Sequence, residues 1–216
     1  LGVPVHKLIC ASNSNKVLYD FFQTGEYDRN REFVLTTSPS MDILISSNLE
    51  RLIYHIAGDS AEADAGFMKK LSEEGKYQIT DEMRERLGDF AGGYATEGET
   101  AEEIRERYEK DGYVIDPHTA VASAVYGKYR KETGDATRTV IVSTASPFKF
   151  ETSVMKALGK PHELPDLELA DALSAVSDVA VPKAVAGLRG AEIRHKTVCD
   201  KDEKAMAAEV EKFLGM

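Results

Sequence analysis

Most side chains able to do chemistry fall in a few short stretches. One is Ser143-Thr144-Ala145-Ser146-Pro147-Phe148-Lys149, which offers three hydroxyls and an ammonium directly after the β-branched run Thr139-Val140-Ile141-Val142. Such a run reads as a buried strand in a sheet covered on both faces. Ligands of open α/β sheets bind just beyond the carboxyl ends of strands. The same residues also suit a Ser/Thr turn that satisfies its own backbone. A second stretch, Asp116-Pro117-His118-Thr119, has Asp116 placed as an N-cap and Pro117 at the first helical position. His118 then sits one turn inside the helix, where the dipole disfavours its charged form, and reads first as a hydrogen-bonded structural residue. A third, Ser12-Asn13-Ser14-Asn15, follows a strand. Asn13 or Ser14 can cap the next helix, and the loop can equally receive an anion at that helix N-terminus. The fourth, residues 36–42, ends in Asp42, which reads as a first-turn helix residue before it reads as a catalytic one. Convergence of these polar edges on one pocket is the functional expectation.

The elements that must position them follow from periodicity. Residues 5–11 predict a strand and 16–24 a helix stopped by Gly25. Residues 31–37 predict a second strand, and 42–57 a helix with Ile43, Leu44, Leu49, Leu52, Ile53 and Ile56 on its apolar face. Strand, loop and helix in succession are the unit of a doubly wound α/β sheet. Between 58 and 111 charged helices dominate, at 61–74, 80–87 and 100–110, with a capping box at Thr100 and Glu103. Glu103–Arg107 and Glu106–Lys110 are i,i+4 pairs in the favourable order. Residues 89–97 read as a strand or a turn. The helix 117–133 carries small residues that permit close approach to a sheet or a ligand. Further helices are expected at 152–158, 164–176, 182–188 and 203–214, with an edge strand at 193–198. This gives an α/β domain from 1–57 and 112–150, a helical insertion at 58–111, and a helical tail from 151.

Composition excludes several classes. The chain has 216 residues, 42% hydrophobic and 30% charged, with a net charge of −10. That balance argues against a nucleic-acid or anionic-membrane surface, and no apolar run nears the ~20 residues of a membrane span. Cys10 and Cys199 lack ligand or disulfide spacing, which suits a reducing cytoplasm. Gly-x-Gly-x-x-Gly, Walker-type and Gly-x-Ser-x-Gly motifs are missing, as are His pairs or Cys-x-x-Cys for zinc. Leu1-Gly2-Val3-Pro4-Val5 reads as the end of a helix entering a strand, so the chain is expected to be part of something longer.

On these motifs the chain resembles threonine synthase of the longer microbial and fungal type. The matching runs are residues 7–21 (KLICASNSNKVLYDF) with Thr24-Gly25-Glu26-Tyr27, 37–52 (TSPSMDILISSNLERL), 116–121 (DPHTAV) and 143–150 (STASPFKF). The resemblance implies a tryptophan-synthase-β-like, fold type II enzyme that uses pyridoxal 5'-phosphate (PLP) to convert O-phosphohomoserine and water to threonine and phosphate. It implies that Thr144, with Ser146 as second choice, bonds the cofactor's pyridine nitrogen. Asp116 and His118 would stand beside the ring, and Asn13, Asn15 and Lys149 would meet substrate phosphate. No Phe-Lys-Asp occurs here, so the Schiff-base lysine would lie in a missing N-terminal half, and no catalytic residue is assigned to this chain. Two other readings stand: a threonine-synthase-like phospho-lyase, and a non-catalytic α/β module that binds an anionic metabolite or a partner chain.

Overall fold

A computed structural model describes residues 3–216; Leu1 and Gly2, and with them the helix end expected there, lie outside the described residues. The elements are β1 (Leu8–Ser12), α1 (Val17–Thr24), β2 (Glu26–Asp28), α2 (Ser47–Ile56), α3 (Ala61–Glu73), β3 (Lys76–Gln78), α4 (Asp81–Glu85), β4 (Phe90–Tyr94), α5 (Glu97–Asp111) and α6 (Pro117–Thr133). Then follow α7 (Glu151–Ala157), α8 (Asp166–Ser177), α9 (Lys183–Ala186) and α10 (Glu203–Leu214). The chain divides into two compact units, the first ending at Val181 and the second comprising Pro182–Met216.

In the first unit β1 pairs with β4 in parallel, Leu8 opposite Phe90 through Ser12 opposite Tyr94. β2 pairs with β3 antiparallel, Tyr27 opposite Tyr77. Segment 58–111, expected as a helical insertion, thus supplies β3 and β4 as well as helices. Gly92 and Gly93 in β4 serve close approach. A Cβ at Gly93 would stand 2.4 Å from Val125 Cγ1, and one at Gly92 2.8 Å from Phe22 Cβ. The strand is therefore clamped between α6 and α1.

The larger apolar core gathers Phe21, Tyr27, Ile53 and Tyr77, with Leu49, Ile56, Leu71 and Met83 around them. Tyr27 and Tyr77 stack at 5.5 Å between ring centroids. The Tyr27 hydroxyl donates to Leu44 O at 2.9 Å and accepts from Ser46 N–H at 2.9 Å, so its polar end is satisfied where the ring is buried. α1 ends where predicted, with Gly25 left-handed (φ 75) and its N–H on Phe21 O.

Several expectations need correction. Residues 31–37 and 139–142 form no strand, because among the described residues neither has a strand beside it to complete a ladder. Residues 193–198 in the second unit form none either, since its described elements are α9 and α10 alone. The helix expected over 42–57 begins at Ser47, capped by Ser46 whose Oγ accepts from Leu49 N–H; before it lies a 3-10 turn, Pro39–Met41. The capping box falls one turn earlier than Thr100 and Glu103, at Thr96 and Glu99. Neither Asn13 nor Ser14 caps α1: Lys16 holds that position in the left-handed region (φ 42), with no side-chain cap.

In the second unit, Asp202 caps α10 by accepting from Lys204 and Ala205 N–H, and His195 packs on Phe213 at 6.3 Å. Among the described residues no helix is long and apolar enough to cross a membrane.

Candidate functional site

The first turn of α6 is the centre of the site. Asp116, 1% exposed, accepts from His118 N–H at 2.9 Å and Thr119 N–H at 3.4 Å, the cap its sequence predicts. Its other oxygen takes a short hydrogen bond from the Thr119 hydroxyl. A hydroxyl has one proton and a carboxylate can only accept. Thr119, already donating to Asp116, must therefore receive the proton of Ser143, whose Oγ lies 2.9 Å away. The cap of α6 is thereby tied to the stretch that carries Thr144.

His118 makes a second tie. Its Nε2 accepts from the backbone N–H of Ser40 at 3.2 Å, and its Nδ1 is 3.1 Å from Asp116 Oδ1. A backbone N–H donates only to an unprotonated ring nitrogen, so the geometry assigns the Nδ1–H tautomer, with that proton on Asp116. The ring packs on Phe150, centroids 4.8 Å apart. Both nitrogens are engaged within the protein, which makes His118 a positioning residue for the 36–42 loop.

The Asn13 loop forms the third tie. Asn13, 1% exposed, donates to Asp42 Oδ1 at 2.7 Å and Thr36 Oγ1 at 2.9 Å. Asp42 also accepts from the Thr36 hydroxyl at 2.7 Å and its N–H at 3.0 Å. Asn15 donates to Val34 O at 2.8 Å and accepts from Val34 N–H at 2.9 Å, standing in for the missing strand neighbour. The amides of Asn13 and Asn15 are thus committed to protein groups. Glu97 closes the set by accepting from Thr37 N–H at 2.9 Å.

Three of the four polar stretches border an open cavity of about 400 Å³, and the fourth, residues 12–15, lies outside its lining and is joined to the 36–42 loop by hydrogen bonds. Ser40, Met41, His118, Ala122, Tyr126 and Thr144 line the cavity, with residues 139–142 along one side. Thr144 is exposed and its hydroxyl has no hydrogen-bond partner among the described residues. Ser146 and Lys149 do not line the cavity: Ser146 accepts from Phe148 N–H to cap the 3-10 turn Pro147–Lys149, and Lys149 is exposed on that turn. Sequence reasoning missed Tyr126 and the roles of Thr36 and Asp42. Tyr126 could have been found, since it lies eight residues beyond His118, on the same helix face. The Asp42 role depends on loop closure and has no local signature.

A family model described as "Threonine synthase, C-terminal" matches residues 119–210. "Threonine synthase-like 1" of Macaca fascicularis is 35% identical over 99% of this chain and 29% of its own length. The crystal structure of threonine synthase from yeast superposes with a TM-score of 0.80 at 29% identity, covering 100% of this chain and 43% of that one. PLP-bound threonine synthase from Brucella melitensis gives 0.68 at 35% identity, covering 83% of this chain and 37% of that one. The chain therefore spans under half the length of these relatives, and its fold is the α/β fold of type II PLP-dependent enzymes.

Proposed function

The chain belongs to the threonine synthase-related family, and we propose that it forms one wall of the pyridoxal-phosphate site of an enzyme converting O-phosphohomoserine and water to threonine and phosphate, in a cytoplasmic setting. The observation that carries this reading is the unpartnered Thr144 hydroxyl on the cavity wall, at the end of the segment tied to Asp116 through Thr119 and Ser143. PLP supplies an electron sink for carbanion chemistry at the substrate α-carbon. The residues present fit one side of such a ring. Thr144 offers a neutral hydroxyl to the pyridine nitrogen, and a hydroxyl does not hold a proton there as a carboxylate would. Ala122 and Met41 give the apolar lining a flat ring needs, and His118 fixes the backbone of Ser40 in the same lining.

The roles follow from the ties already described. Asp116 orders the first turn of α6, His118 holds the 36–42 loop, and Ser146 shapes the turn beyond Thr144. Asn13 and Asn15 hold loops near the substrate side, and Lys149 is left as a surface cation for an incoming phosphate. The amine that PLP chemistry needs is assigned to no lysine of this chain.

A second reading is favoured by one observation: a relative that aligns with 99% of the chain is called threonine synthase-like. On that reading the same wall serves a phospho-lyase that releases phosphate from related substrates without making threonine. Assay of a full-length enzyme carrying this segment separates the two, because only the synthase forms threonine in step with phosphate. In that enzyme Thr144→Val is expected to lower turnover about 10-fold or more while leaving the unfolding midpoint unchanged. Unchanged turnover defeats the Thr144 assignment.

A further inference from the structure

A cavity of about 530 Å³ opens between α2 and α3, and none of its lining belongs to the site around Thr144. Ser47, Glu50, Arg51, Tyr54 and His55 line it from one stripe of α2, and Asp64 reaches it from the first turn of α3. Two of these side chains are engaged. His55 Nδ1 is 2.7 Å from Asp59 Oδ1, and Arg51 Nη1 donates to Asn48 Oδ1 at 2.5 Å. Glu50, Arg51 and Asp64 form no ion pair among the described residues, although charges of both signs meet in one cavity.

Asp64 carries the clearest signal. Its Oδ1 is enclosed and accepts no hydrogen bond among the described residues. A carboxylate in a first helical turn ordinarily finds a free N–H, but here Ser60 Oγ already accepts from Ala63 N–H. Tyr77 repeats the pattern from below the surface. It is 4% exposed, and among the described residues its hydroxyl makes no hydrogen bond. Burial raises the pKa of that hydroxyl, and the charges of Tyr27, Asp64 and Glu50 raise it further. Burial likewise raises Asp64, with the Glu50 carboxylate adding to it. Two carboxylates thus stand in one another's field, with a buried phenol in the field of both. Enclosed polar groups left without partners are costly in a folded protein, and a ligand that supplies donors removes that cost.

We propose that this cavity binds a free α-amino acid, its ammonium seated on Asp64 and Glu50 with the Tyr77 hydroxyl behind them, and its carboxylate on the guanidinium of Arg51. The donors and acceptors match in number. An ammonium has three donors and no acceptor, and the site offers it two carboxylates and a phenol oxygen. A guanidinium has five N–H donors, and the bond to Asn48 uses one, which leaves a fork for a carboxylate. A metal ion fits less well, since among the described residues no group of three or more His, Cys, Asp or Glu could hold one. The volume leaves room for a side chain beside Tyr54. The inference rests on α2, α3 and Tyr77, and not on the cofactor reading.

It is tested by hydrogen exchange over residues 47–77 in a full-length polypeptide that carries this chain. L-Alanine is expected to slow exchange in that span. Ethylamine and acetate, each one half of the zwitterion, should need concentrations at least 10-fold higher. Asp64→Asn keeps the shape of the side chain and removes its charge. It is expected to weaken L-alanine binding about 10-fold or more. The unfolding midpoint without ligand should be unchanged or higher, because no hydrogen bond is lost and the repulsion from Glu50 is relieved. Arg51→Met should weaken L-alanine as much and leave ethylamine unaffected. Exchange that L-alanine does not slow, or slows equally in Asp64→Asn, overturns the proposal and leaves the cavity to water. A midpoint lowered by Asp64→Asn also overturns it, by making Asp64 a structural carboxylate. So does protection by magnesium chloride at lower concentration than L-alanine, which would make the occupant a metal ion.

Discussion

β1 and residues 139–142 are both short apolar runs that border the same cavity, and each leads into a polar loop. β1 has a ladder with β4 and carries Asn13 and Asn15 at its end. The other run has Val140 and Val142 in solvent, and just beyond its end Ser143 meets Thr119. Residues 139–142 are all β-branched while β1 has Ile9 alone, so intrinsic β preference would favour the run that forms no strand. A neighbour decides instead. Strand formation is a property of pairs, and a run acquires it from the partner that takes its backbone groups.

The largest test of this contrast strikes the point that anchors the unpaired run. Asp116→Ala removes the α6 cap and leaves the buried Thr119 hydroxyl without its acceptor. Loss of about 3 kcal/mol in urea unfolding is expected, combining a lost cap with an unsatisfied buried group. A loss under about 1 kcal/mol would mean the run is held by something other than this cap. Next comes a paired comparison. Gly93→Ala forces a Cβ against Val125 Cγ1 at 2.4 Å and is expected to cost about 1–3 kcal/mol. Val142→Thr in the unpaired run stays within about 0.5 kcal/mol. Equal effects would erase the distinction.

A further test is a titration. Burial pushes the Cys10 thiol in β1 up from 9.0 to about 11. Folding therefore favours the protonated thiol. That contribution is intact well below pH 9, and on the order of 2 kcal/mol of stability is lost as pH rises from about 9 towards 11. At pH 8 iodoacetamide should label exposed Cys199 first, with Cys10 slower by about 100-fold, since thiolate is the reacting form. Comparable labelling rates would show that burial in β1 does not protect Cys10.

Legibility followed the range of the forces involved. The α6 start was readable to the residue, because Asp116, Pro117 and the N–H groups they serve lie within one turn. Gly25 as a helix stop was equally local. The meeting of four polar stretches was readable from strand-end chemistry and family likeness together. The 139–142 strand was not, since its partner lies elsewhere. The α5 capping box was placed one turn late because Thr96/Glu99 and Thr100/Glu103 fit the same pattern. Packing decides between them: Thr100 is buried, with its hydroxyl on Thr96 O. Asp42 was read as a helix residue because its acceptor role depends on Asn13, 29 positions away.

The Asp116 cap also has a mechanical consequence. Ser40 hangs from His118 and Ser143 from Thr119, and both side chains spring from the first turn of α6. A small slide or roll of that helix therefore carries both jaws of the cavity as one linkage.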